Sequence, residues 1–368
     1  MTSNIKQRNS NIELIRIIAM FMIISYHYVS HGVIQILSGT NYLDVFWTKG
    51  SIVNKIFCSF MLPGGTIGVC LFFIITGYFE SVSNRVSLKF LKTLLFYAFV
   101  IGFVGGIAAI ILLDASVSAV CFNLIKFIAC PVTSNMWWYA TSYMILQLLV
   151  PYINKGINYL NDEGLIIFVA IIWIVSQINI AFSLPYNALV FPVFYYLLGA
   201  LLRRHDSKKS LSKIVITSTL ALVFWSIIAM SWFILYNTYG TEHYTQITLF
   251  VQTIQYAFLI PACSCMIFLL FTSIQIKNNH INQLGKLTFG IYLLHDNVYS
   301  REIIWNRLFH VGEHFTEKNF IPYSIITIII VYIGCALLDL GRELWVKNII
   351  EEKYQYIKKR ICDRFFVK

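Results

Sequence analysis

Apolar runs of roughly helix-spanning length, broken by short polar segments, recur from one end of the chain to the other. A bilayer core takes about 20 apolar residues per helix. Ten stretches approach that length: 12–30, 66–79, 90–113, 137–153, 165–181, 188–202, 214–236, 247–273, 287–304 and 321–340. The second and sixth are short and suit tilted, kinked or partly re-entrant segments. The pattern predicts an all-α polytopic membrane helix bundle of about ten transmembrane helices within residues 1–341. Residues 342–368 form a basic tail in which Leu344, Trp345, Ile349, Ile350, Tyr354 and Ile357 are spaced among Lys and Arg. That spacing suits an amphipathic helix on an anionic membrane surface.

The polar segments carry the orientation. Cytoplasmic loops accumulate Lys and Arg. Lys6 and Arg8 precede the first run. Arg85, Lys89 and Lys92 follow the second, and Arg203, Arg204, Lys208, Lys209 and Lys213 follow the sixth. Lys277 and Lys286 follow the eighth, and the tail follows the tenth. All fall on one side if the count is even, so both termini are expected in the cytoplasm. The segment holding Lys155, Asp162 and Glu163 is the weak member of this series. The opposite segments hold Asp44, Asp114, Glu242, His243, Glu313 and His314.

Composition narrows the class. The 368 residues are 58% hydrophobic and 12% charged, with a net charge of +11. A soluble surface of this size needs nearer 25% charged residues. The positive charge lies in short clusters between apolar runs, and no nucleic-acid reader motif is present, so no nucleic-acid partner is expected. The eight cysteines form no C-x-x-C pair and mostly sit inside apolar runs, which predicts packing rather than metal ligation or disulfides. No metal site is expected. Polar residues up to Ser10, then Glu13 and Arg16 within the first run, argue against a cleavable leader.

Ionisable groups inside apolar spans are costly, which makes them the informative residues. Arg16 and His27 are eleven residues apart, about 1100° of helical rotation, so they share one face about 16 Å apart along the axis. His295 and Glu302 are seven apart and share a face of the ninth span. If that span begins near Lys286, Glu302 reaches the depth of His27 and His295 lies nearer mid-membrane. Asp296 points elsewhere. A carboxylate beside an imidazole fixes its tautomer and stabilises the imidazolium. Arg16 suits phosphates by charge and fork geometry, and His27 suits a general base. A phosphopantetheine arm has the reach to join the two. Each residue also has a plainer reading: Arg16 as a snorkelling anchor, His27 as a satisfied bundle histidine, Glu302 and Arg301 as headgroup-layer residues. Trp137 and Trp138 open the fourth span, where they could stack on a sugar or belong to the interfacial aromatic belt. Gly64, Gly65 and Gly68 beside Pro63 suit a broken helix lining a cavity or close helix packing.

At these residues the chain resembles membrane acyltransferase family 3. The family's first helix carries Arg, ten residues, then His, matched by Arg16 and His27 in NIELIRIIAMFMIISYHYV. GVCLFFIITGYF is similar to the family's second block, with Thr76 in place of Ser. MWWYATSYMILQLLVPYI, FPVFYYLLGALLRR and LGKLTFGIYLLHDNVY resemble three later blocks in the same order. The resemblance implies acyl-CoA, usually acetyl-CoA, as a co-substrate used from the cytoplasmic side, with no tightly bound cofactor. It implies O-acylation of a surface polysaccharide or its lipid-linked precursor, polysaccharide-biosynthesis proteins as partners, and a multi-pass place in a bacterial cytoplasmic membrane. Arg16 then binds the donor, His27 acts as base, and Glu302 or His295 supports it. Direct transfer and an acyl-histidine intermediate both stay open. Two other activities fit the same charges: a polysaccharide exporter or flippase, and a proton-coupled transporter with His27, His295 and Glu302 as relay.

Overall fold

The computed structural model describes residues 9–34, 49–83, 86–132, 136–181, 187–205, 210–239 and 250–346. All regular structure among them is helical. Eleven long helices follow in order: α1 Ser10–Ile34, α2 Ile52–Glu80, α3 Phe90–Leu113, α4 Val117–Ala129, α5 Trp138–Asn158, α6 Asp162–Ala181, α7 Asn187–Arg204, α8 Leu211–Tyr239, α9 Phe250–Ser273, α10 Asn279–His295 and α11 Phe320–Trp345.

Six of these, α1, α2, α3, α8 as far as Ile234, α9 and α11, are long and apolar enough to cross a membrane. Helices α5, α6, α7 and α10 stand where four further spans are expected, with 21, 20, 18 and 17 residues. Three of them, α5, α7 and α10, contribute to the wall of an interior cavity. The tail reading lies largely outside the described residues; α11 itself continues past residue 341 to Trp345.

Helix α1 is the axis of the bundle. It packs against α2, α10, α9 and α11. Its residues enter both large apolar clusters, Met20, Ile23 and Ile24 in one and Ile12, Ile15 and Ala19 in the other. Helix α2 has a one-residue turn at Leu62, where the first α-helical segment ends and the second begins with Pro63 in its first turn. Beyond that break, a Cβ on Gly68 would lie 2.7 Å from the Ala19 carbonyl oxygen of α1. The absent side chain is therefore what lets the two backbones meet. The same holds where α2 crosses α7: a Cβ on Gly199 would strike the Ile74 carbonyl and come within 2.8 Å of the Tyr78 nitrogen. Close packing is thus one role of the glycine-rich start of α2; Gly65 also lines the cavity.

Cys58, Cys70, Cys263 and Cys335 are buried, Cys265 is half-buried, and Cys121 and Cys130 are exposed, with no disulfide among the described residues.

Candidate functional site

Two helices build the site, and they run parallel from a common start. Asn9 caps α1 by accepting from the Asn11 amide. Ser10 then accepts from the Asn278 amide at 3.0 Å, and Asn11 accepts from the Ile276 amide at 2.8 Å and donates to the Ile274 carbonyl. These bonds tie the first turn of α1 to the segment that leads into α10. Gly285 lies against Glu13 so closely that a Cβ there would overlap the carboxylate. The α-helical part of α1 has 18 residues and α10 has 17. At 1.5 Å per residue both rise about 25 Å from the shared start. Their last α-helical residues, His27 and His295, consequently arrive side by side.

The meeting is a buried imidazole pair. His27 Nδ1 lies 3.0 Å from His295 Nε2, with ring centroids 5.1 Å apart. His295 Nδ1 lies 2.7 Å from the Ile291 carbonyl oxygen. A carbonyl only accepts, so His295 carries its proton on Nδ1, and when neutral it offers a lone pair at Nε2. His27 must then donate from Nδ1. The lone pair of a neutral His27 is left on Nε2, 3.7 Å from Asp296 Oδ2. His27 and Asp296 both line the cavity.

Helix α10 stops at His295 because Asn297 serves both sides of the break. Its side-chain nitrogen donates to the carbonyls of Leu293 and Leu294, each at 3.0 Å. Its oxygen accepts from the amides of Tyr299 and Ser300 at 3.2 and 2.9 Å, opening the next turn, Ser300–Glu302. Asp296 lies in the break with φ −117° and ψ 73°. From there its carboxylate points back at His27, accepts from Arg301 Nε at 2.6 Å, and stands 4.0 Å from His31 Nε2.

This geometry corrects one sequence expectation. The carboxylate beside the imidazoles belongs to Asp296, not Glu302. Helix α10 begins at Asn279 rather than near Leu287, which brings His295 to the depth of His27. It also ends before Glu302, so the seven-residue periodicity does not carry across. Glu302 is exposed and accepts from Asn306. Trp137 is likewise no sugar platform. It is 1% exposed, and its indole N–H donates to the Leu293 carbonyl at 3.2 Å, pinning the end of α10. Trp138 does line the cavity and is exposed.

The cavity encloses about 740 Å³, within the 300–1,000 Å³ range of small-molecule sites. Arg16 and His27 sit on the same wall. Lys286, next to the Gly285–Glu13 contact, and Lys89, next to Phe90, join Arg16 on the lining. Phe90 in turn packs on Phe289, with centroids 5.9 Å apart. Three cations and the hydroxyls of Thr76, Ser87, Thr93 and Thr288 therefore share the cavity with His27. Arg16 Nη1 pairs with Glu13 at 3.2 Å; its Nε and Nη2 remain for an anion. Aromatic side chains, among them Phe72, Tyr139, Tyr143 and Tyr292, fill out the walls.

Sequence reasoning turned Asp296 away from the imidazoles, and it did not weigh His31, which stands beside the cavity rather than on its lining. The Asp296–Asn297 pair was a visible helix-stop signal, and His31 stands four residues after His27, the spacing of helix-face neighbours.

Fold and site together define an all-helical membrane protein with a general-base candidate lining a cation-bearing cavity. A family model described as an acyltransferase domain matches residues 9–340, nearly the whole chain, and the protein belongs to membrane acyltransferase family 3. No curated protein and no solved structure matches the chain significantly.

Proposed function

We propose that the protein is an O-acyltransferase that moves an acyl group, most simply acetyl, from acyl-CoA to a hydroxyl of a surface polysaccharide or its lipid-linked precursor. The observation that carries this reading is the shared cavity. One chamber is lined by a phosphate-suited guanidinium, Arg16, and by an imidazole, His27, whose Nδ1 is engaged by His295 so that Nε2 is left as the base.

The donor's phosphates lie against Arg16, Lys89 and Lys286, where charge-assisted hydrogen bonds are strongest. The arm extends past the aromatic walls towards His27. There the acceptor's hydroxyl oxygen attacks the thioester carbonyl carbon. His27 Nε2 takes the hydroxyl proton, the carbon–sulfur bond breaks, and the departing thiolate takes that proton back. Asp296 and the lone pair of His295 Nε2 stabilise the imidazolium between the two events. His295 is a positioning residue here, because its bond to the Ile291 carbonyl decides which nitrogen of His27 is basic. Trp138 offers a ring on the same lining for a sugar.

The charge pattern supports a donor taken from the cytoplasm. Lys89, Lys286 and the Lys- and Arg-rich segments would fall on one side of a ten-span arrangement with both termini inside. The family resemblance supports a place in a bacterial cytoplasmic membrane.

The test is transfer from labelled acetyl-CoA by the purified protein to glycan or lipid-linked glycan acceptors. His27→Ala is expected to lower kcat by about 10²–10⁴-fold, the usual contribution of a positioned base. Equal transfer by His27→Ala, or glycan translocation without any acyl-CoA requirement, refutes the reading.

A further inference from the structure

Beyond His27 and its helix partner His295, a third imidazole converges on Asp296. One ligand atom each from His27, His31 and Asp296 lie within 4.8 Å of one another. His27 Nε2 is 3.7 Å from Oδ2 of the carboxylate, and His31 Nε2 is 4.0 Å from Oδ1. The two rings follow each other on α1, with centroids 5.2 Å apart, across the point where the helix widens into π turns at Tyr28–Ile34. We propose that this cluster binds one divalent transition-metal ion of the zinc type, and that the bound ion switches acyl transfer off.

Three features fit a metal rather than a chance cluster. The donor set, two imidazoles and one carboxylate, is the mixed nitrogen and oxygen set that zinc takes. Two of the three metal-facing groups are already oriented from behind, as metal ligands usually are. His27 donates its Nδ1 proton to His295, which leaves Nε2 bare, and Asp296 Oδ1 accepts from Arg301 Nε, which leaves Oδ2. The distances need little change. Tetrahedral bonds of ~2.1 Å put ligand atoms about 3.4 Å apart, so the 3.7 Å between His27 Nε2 and Asp296 Oδ2 closes by a small side-chain rotation, and His31, whose ligand atom lies within 4.8 Å of the other two, closes by a larger one. Because His27 and Asp296 line the cavity, the fourth position opens into it and takes water.

The inhibitory part rests on the function proposed above; binding itself does not. A metal on His27 Nε2 occupies the lone pair that must accept the hydroxyl proton. It also leaves Arg16 untouched, about 16 Å away along α1, so donor binding persists while turnover stops.

Two readouts separate the claims. Cobalt(II), titrated into metal-free protein in detergent, is expected to give the visible absorption of a tetrahedral site, saturating at one ion per chain and displaced by zinc. Zinc is expected to suppress acetyl transfer, with recovery on adding EDTA, while coenzyme A still binds. His31→Ala, checked by its melting temperature and size-exclusion profile, is expected to weaken both effects at least tenfold and to keep metal-free transfer intact; His31→Gln serves if the alanine variant does not fold. Absent cobalt bands, or zinc inhibition equal in both His31 variants and the parent, overturn the site. So does inhibition of the same strength by magnesium. Zinc that raises transfer overturns the inhibitory role. Tight cobalt binding by a protein that transfers no acyl group leaves the metal site standing and sinks the proposed function instead.

Discussion

Asp296→Asn isolates the charge that faces the imidazole pair. The substitution keeps the shape of the side chain, and its oxygen can still accept from Arg301, which is about one-third exposed and remains hydrated. What disappears is the attraction between carboxylate and imidazolium. Unit charges 3.7 Å apart in a medium of effective dielectric constant about 20 attract by about 4.5 kcal/mol. The cavity admits screening, so the full value is an upper bound, and a fall in kcat of about 10²–10³-fold is expected. The loss should sit in kcat alone. The donor's phosphates are proposed to lie at Arg16, a long way down the same helix, so the donor KM should stay near its parent value. Steady-state transfer from labelled acetyl-CoA, with size-exclusion and melting data on each variant, measures both constants. A folded Asp296→Asn protein with kcat within threefold of the parent refutes the pairing. Glu302→Gln is the matched control: it alters an exposed carboxylate outside the site, and both constants should stay within twofold.

Arg16→Gln removes the charge that the donor's phosphates are proposed to meet. Losing a hydrogen bond to a charged group costs about 1.5–3 kcal/mol, so calorimetry should show coenzyme A binding weakened by about 10–100-fold; unchanged affinity counts against the role. Gly199→Ala puts a methyl group into the crossing of α2 and α7. Overpacking of this kind costs about 1–3 kcal/mol, and a melting temperature several degrees lower is expected, whereas an unchanged one would mean that the helices part without strain.

The helices were legible because hydrocarbon demands long apolar runs, and α1, α3, α8, α9 and α11 satisfy that demand almost without interruption. Helix α10 was placed late because its first turns, with Asn279, His280, Asn282 and Gln283, are polar; they join the polar seam with the start of α1 instead of facing lipid. The Arg16–His27 register followed from helical periodicity alone, and it holds because α1 is regular between them. Periodicity failed after His295, where Asn297 ends one helix and opens the next. A side-chain hydrogen-bond exchange of that kind leaves no trace in the hydrophobic pattern. The buried position of Trp137 was hidden for a similar reason: belt tryptophans and core tryptophans look alike until the neighbour that accepts the indole proton is known.

Because the guanidinium and the imidazole border one chamber, the proposed chemistry has a consequence for energy coupling. The hydrogen lost by the acceptor ends on the sulfur of the departing coenzyme, and the acyl group travels the opposite way. Acceptor and ester carry the same charge, as do thioester and thiol. Each turnover is therefore electroneutral, and the thioester bond alone drives it. Such an enzyme can work in a de-energised membrane, with neither voltage nor an ion gradient to sustain it.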